Sequence, residues 1–173
     1  MIRPATEADL PGISRIYDAI HDLEAAGRIT TGWLRGIYPT LATAHAALEE
    51  GDLYVMEADG RVAASARINT CQVPEYDQAS WQIPAKKDTA LVLHTLTVDP
   101  ALSRQGLARR FIAFYEEEAR RRGLRALRMD TNARNLVARR LYASLGYREA
   151  GIVPCVFNGI PGVQLVCLEK AAF

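Results

Sequence analysis

The run from Leu91 to Tyr147 constrains this chain more than any other part of it. An apolar, β-rich segment, Leu91 to Val98, ends at Asp99-Pro100; a turn follows, and Gly106 then stands where a long amphipathic helix begins. The first turn of a helix leaves its backbone amides without acceptors, and a glycine there lets the backbone approach a ligand with no Cβ in the way. The turn Ser103-Arg104-Gln105-Gly106-Leu107-Ala108 therefore reads as an anion site, its amides from Arg104 to Arg109 facing whatever fills the turn. The helix presents Leu107, Phe111, Phe114, Tyr115 and Ala119 on one face and Arg110, Glu116, Glu117 and Arg120 on a solvated one. Gly123 closes it. A strand from Leu124 to Asp130 follows, then a helix from about Ala133 to Leu145, with Asn132 as its expected cap and Gly146 as its stop.

The rest of the chain supplies neighbours for that unit. Met1 to Arg3 reads as a short strand, and Thr6 caps a helix whose apolar positions Leu10, Ile13, Ile16, Tyr17 and Ile20 recur at helical spacing. Gly27 stops it, Thr30 to Tyr38 is aromatic and broken by glycines, and Pro39-Thr40 prefaces a helix from Leu41 to Glu50. Leu53 to Glu57 and Val62 to Asn69 flank Asp59-Gly60, a strong hairpin signal. Cys71 to Asp88 holds two prolines and no period, so it reads as a loop, with Glu75, Tyr76, Asp77 and Trp81 either reaching a cleft or simply solvated. Tyr147 to Val153 and Gly162 to Glu169 are the last strands, joined by Pro154 to Pro161. The order β-α-α-β-β-β-α-β-α-β-β predicts an α/β protein, with a central mixed β-sheet flanked by helices, in one domain over residues 1–173.

A formal net charge of +1 argues against nucleic acid or a membrane surface as a partner held by bulk electrostatics. No segment approaches the ~20 apolar residues of a membrane span, which leads to the expectation of a cytoplasmic protein. Cys71, Cys155 and Cys167 are widely spaced and lack Cys-x-x-Cys pairing, so no metal site is expected. The Gly-Lys-Ser/Thr loop and the three-glycine dinucleotide fingerprint are both missing from the sequence, which disfavours a nucleotide-phosphate enzyme.

Two ordered motifs carry a resemblance. Gln105-Gly106-Leu107-Ala108 supply the second half of the pattern Gln/Arg-x-x-Gly-x-Gly/Ala, with Ser103 standing where Gln or Arg is usual. Asn135, Ala138, Leu141, Tyr142, Leu145, Gly146 and Tyr147 meet Asn-x-x-Ala-x-x-Leu-Tyr-x-x-Leu-Gly-Phe/Tyr in full. The stretch resembles the core of the GNAT superfamily of acyl-CoA-dependent N-acyltransferases. The resemblance implies acetyl-CoA as cosubstrate, its pyrophosphate held by the turn Ser103 to Arg109 with Asn135 in contact. It also implies that Leu96, Thr97 and Val98 lie where the central strand splays, leaving backbone groups for the pantetheine arm. Tyr142 would sit beside the departing sulfur, where a phenol can donate a proton to a thiolate. Trp33, Tyr38, Phe157 and Asn158 fall in segments that border the acceptor side, although ordinary core aromatics and an ordinary turn fit the same positions.

An attacking amine must first lose a proton, so a base or a water chain is required. His94 interrupts an apolar strand and by alternation shares a face with Leu96, which makes it the candidate base; a histidine satisfied within the core fits equally. Cys155, isolated among Pro154, Val156 and Phe157, could carry an acyl group or lie buried and inert. The expected function is acetyl transfer to a primary amine of a small molecule or peptide, in a chain able to form a homodimer as relatives do. The rival is a module of the same fold that binds acyl-CoA without turnover.

Overall fold

The computed structural model describes residues 1–86 and 88–173. Its elements run β1 (Ile2–Pro4), α1 (Leu10–Ala25), α2 (Leu41–Glu49), β2 (Leu53–Ala58), β3 (Arg61–Asn69), β4 (Ala90–Val98), α3 (Leu107–Arg121), β5 (Ala126–Asn132), α4 (Leu136–Ser144), β6 (Arg148–Phe157) and β7 (Ile160–Ala171). They form a seven-stranded sheet of order β1-β2-β3-β4-β5-β7-β6, in which only β4 and β5 run parallel. The predicted element order and the mixed sheet both hold. Helices α1 and α2 pack through Ile13, Ile16, Tyr17, Ala44 and Ala47 against Leu53, Val55 and Val62. Helix α3 packs through Phe111, Ile112 and Tyr115 over Met56, Leu91, Leu127 and Met129, in a cluster that also takes in Tyr142 of α4. Among the described residues no helix is long and apolar enough to cross a membrane.

Local chemistry sets the element ends. Asp9 accepts from the Thr6 amide at 2.8 Å and pairs with Arg3, which holds its carboxyl down at about 2; a 3-10 turn, Glu7–Asp9, therefore precedes α1. A lowered acid contributes stability that is complete above its unfolded value and is lost as pH falls toward 2. Asn135, and not Asn132, caps α4, its Oδ1 accepting from the Ala138 amide at 3.2 Å. Strand β5 extends through Asn132, which pairs with Leu165, and Asn132 Oδ1 instead accepts from the Arg134 amide. The last two strands are joined by Asn158-Gly159 alone, with φ of 50° and 78°, the left-handed pair that a tight hairpin requires. The predicted eight-residue connection is thus strand: Pro154 is tolerated because β6 lies at the sheet edge and its missing amide breaks little.

Two further expectations change. The segment Cys71 to Asp88, of which Lys87 lies outside the described residues, is not a solvated excursion. It contains a 3-10 turn, Pro74–Gln78, and buries Tyr76 to 1% exposure. On α3, Glu116 is tied to the Tyr147 hydroxyl at 3.0 Å and to Lys170 at 2.9 Å, so the face read as solvated bonds to the end of the sheet.

Candidate active site

The parallel strands β4 and β5 part company halfway. Their register covers Ala90 to Leu93 against Ala126 to Met129 and stops there, while β4 runs on to Val98 and β5 to Asn132. From His94 onward, the edge of β4 that faces β5 has no strand partner, and a wedge-shaped opening results. A cavity of about 880 Å³ fills it, lined on one side by Leu96, Thr97 and Val98 and on the other by Asp130, Thr131 and Asn132.

A β-bulge shapes the same edge. Thr97 pairs with Ser65 and His94 with Arg67, so Thr95 and Leu96 together oppose Ala66 alone. Thr95 takes φ of 53°, a left-handed conformation that a β-branched residue adopts only where its surroundings hold it. Its hydroxyl shares a hydrogen bond with that of Tyr38, whose phenol burial pushes up to about 12. The inserted residue breaks the alternation on which the sequence reading of His94 relied. Leu96 lines the large cavity, but His94 lines a second one, of about 540 Å³, with Arg67 and Asn69. Its Nε2 lies 3.0 Å from Asn69 Oδ1, which also accepts from the Cys71 amide, while Asn69 Nδ2 donates to Asp52; Nε2 is therefore the protonated nitrogen. Burial, with the Arg67 charge beside it, lowers His94 to about 4.

At the mouth of the large cavity, Gly106 takes φ of 72° and Arg104 65°, left-handed values of the kind found in anion-binding backbone nests. The amides from Arg104 to Arg109 donate to no acceptor among the described residues, and the first α3 donor to find one is Arg110, bonded to Gly106 O. No atom lies within 4 Å of the position a Gly106 Cβ would take, so the positive φ, more than crowding, requires glycine. Ser103, Arg104 and Ala108 line the cavity. Gln105 and Gly106 are exposed outside its lining, Leu107 turns its side chain into the core, and Arg109 donates to Ser144 Oγ at 2.8 Å. The donor set suits an elongated anion with amides in its tail: a nest of free amides at one end, an unpaired strand edge along the middle.

Tyr142 reaches the cavity from α4, its ring edge-on to Tyr147 at 6.2 Å. Its hydroxyl finds no protein partner among the described residues, and burial, with Asp130 adding, raises it above the ordinary phenol value, so it stays protonated. Asn135 lines the cavity while capping α4. Trp33 and Tyr38, edge to face at 5.9 Å, line it too. Phe157 and Asn158 border both cavities, as do Tyr38, Thr95 and Asp130, so these five side chains form the partition between them. Cys155 lines neither, and burial raises its thiol away from the reactive thiolate.

Sequence reading missed Asp130. It is the one carboxylate on the partition, half-buried, raised to about 6 by desolvation with Glu75 adding and the Tyr76 hydroxyl opposing. The signal was available: an acid near the end of the strand that leads into the helix carrying Tyr142. Among the described residues no group of three or more His, Cys, Asp or Glu side chains is placed to hold a metal ion.

Residues 17–147 match the profile of the acetyltransferase (GNAT) family. The ribosomal protein bS18 alanine N-acetyltransferase of Escherichia coli (strain K12) is 40% identical over 60 residues, which are 35% of this chain and 40% of that protein. The chain thus matches less than half the length of this curated relative. A GNAT-family acetyltransferase from Streptococcus agalactiae superposes with a TM-score of 0.82 at 22% identity, covering 99% of this chain and 94% of that one. A Salmonella typhimurium protein solved with its cofactor acetyl-CoA gives 0.70 at 21%, covering 100% and 94%. Identities this low speak to the fold.

Proposed function

Since the chain belongs to the acetyltransferase (GNAT) family, a family of acyltransferases, we propose that it moves an acetyl group from acetyl-CoA to a primary amine by direct attack. The observation that carries this reading is one carboxylate raised toward neutrality on the partition, where a wedge between parted strands meets a second pocket, together with one unpaired phenol, Tyr142, in the wedge itself. The Arg104–Arg109 amides would take the pyrophosphate, and the free edge of β4 at Leu96, Thr97 and Val98 would pair with the pantetheine arm. Bound there, acetyl-CoA supplies an acyl group activated as a thioester. An amide of the β4 edge is suited to stabilise negative charge growing on the carbonyl oxygen. Asp130 takes the proton from the amine, because a carboxylate near 6 is both ionised and usefully basic at neutral pH. Tyr142 donates to the departing sulfur. The smaller cavity, with Arg67, Asn69 and His94, receives the rest of the acceptor, which at about 540 Å³ is a small molecule or the end of a peptide, as the bS18-alanine acetyltransferase takes a protein amine.

The test is thiol release from acetyl-CoA across a panel of amines, with calorimetry of coenzyme A on the folded protein. Release with at least one amine, together with measurable coenzyme affinity, is the expected outcome; a folded protein with no affinity for coenzyme A or its acetyl ester would overturn the reading. His94→Gln gives a second check. With its imidazole neutral down to about 4, His94 cannot set an acidic limb near pH 6, so the variant should keep that limb and alter mainly the KM of the acceptor. A limb that vanishes in the variant would return the base to His94.

A further inference from the structure

Asp130 is held by one bond, and the donor comes from an unexpected place. Tyr76 OH donates to Asp130 Oδ2 at 2.8 Å. Oδ1 accepts from no described residue, and the carboxylate borders both cavities. The other titratable groups near it are Glu75 on the same turn as Tyr76, Tyr38 before α2, Tyr142 on α4, Cys155 on β6 and Cys167 on β7. Among the described residues only Tyr76 hydrogen-bonds to it.

The segment that carries Tyr76 is fastened throughout. Trp81 Nε1 donates to Tyr76 O at 2.8 Å, and the two rings meet at 5.2 Å. The Trp81 ring is itself covered by the Arg128 guanidinium, 4.1 Å from its centroid, and Arg128 bonds to Gln72 and to Ile83 O. Glu169, 1% exposed, accepts from the amides of Gln82 at 2.8 Å and Ile83 at 3.1 Å. The Ser80 amide donates to Ala150 O. Glu169 is paired with Arg148 of β6, which offsets the cost of burying its charge, and Arg128 keeps one buried nitrogen, Nε, without a partner among the described residues; both side chains also bond to this stretch with no regular period. Among the described residues, the Tyr76 hydroxyl is the atom of this segment that hydrogen-bonds to the partition, at Asp130.

We propose that Tyr76 is a positioning residue for the acid-base carboxylate: it occupies Oδ2, fixes the plane of the group, and leaves Oδ1 as the face that meets the acceptor amine. The inference rests on Asp130 being the base. A hydroxyl bonded to the ionised form favours that form, so Tyr76 also keeps Asp130 charged at neutral pH against the pull of its surroundings.

The test needs no acceptor. In protein labelled with 13C at aspartate carboxyls, with Asp130→Asn assigning the signal, Asp130 should titrate near 6. Tyr76→Phe keeps the ring against Trp81 and removes only the O–H, and should raise that midpoint by roughly one to two pH units. An unmoved midpoint in a folded Tyr76→Phe protein overturns the proposal. If Tyr76→Phe does not fold, Trp81→Phe frees the Tyr76 carbonyl while keeping an aromatic ring, and should move the midpoint the same way by less; no movement again overturns it. The reading of Asp130 as base is judged separately by rate: if Asp130→Asn leaves turnover and its pH profile intact, that reading fails whatever the titration shows.

Discussion

Asp130→Asn is expected to lower kcat/KM at pH 7 by about 10²- to 10⁴-fold, the usual contribution of a positioned general base. The wild-type rate should climb through an acidic limb near pH 6, where Asp130 ionises, and the variant should lose that limb. The same substitution should stabilise the fold. An acid whose pKa is higher in the folded state contributes stability that is present below its unfolded value near 4 and lost as pH climbs through about 6. Asparagine removes that loss, and at pH 8 the gain should be on the order of 1 to 2 kcal/mol once water in the cavity is allowed for. A variant that is both slower and harder to melt marks a group kept for chemistry at the fold's expense. Thermal melts at pH 5 and pH 8 alongside the rate profile test both halves; a variant less stable at pH 8 would show that Asp130 serves the packing instead.

Tyr142→Phe is the second large effect. Because its hydroxyl bonds to no described residue, removing it deprives the protein of no internal partner, and the melting temperature should hardly move. The hydroxyl matters only if something arrives at its tip. If that is a departing sulfur, kcat should fall by about 10²-fold or more while coenzyme affinity by calorimetry changes little. Matched losses in affinity and rate would instead make Tyr142 a binding contact. A fall in melting temperature with full activity would make it a core aromatic.

Much of the frame was legible because it is written in local terms. Glycines mark the turns at Gly106, Gly123 and Gly146, and apolar periods give α1 and α3. The motif from Asn135 to Tyr147 fixes α4 down to the facing of Tyr142. What escaped depends on relations between distant segments. Strict alternation put His94 beside Leu96, and only the pairing of β3 with β4 reveals the extra residue at Thr95 that separates them. Tyr76 looked like one more polar residue in an aperiodic loop, since its anchors lie on β5 and β7. Asp130 read as the end of a strand, because its importance comes from β4 turning away beside it. The Asn158-Gly159 hairpin is the exception: a strong local signal lies inside the segment, Pro154 to Pro161, that reads as the connection between the last strands.

The parting of β4 from β5 has a consequence for how the protein behaves before any ligand arrives. A strand edge turned inward without a mate is an unfinished seam, and the backbone there must trade hydrogens with water. Deuterium should therefore enter those amides of Leu96–Val98 that face away from β3 far faster than their counterparts in the stitched half of the same strand, Ala90–Leu93. Coenzyme A should slow that uptake by lending the missing thread, so that a molecule which is not protein completes the weave of the sheet.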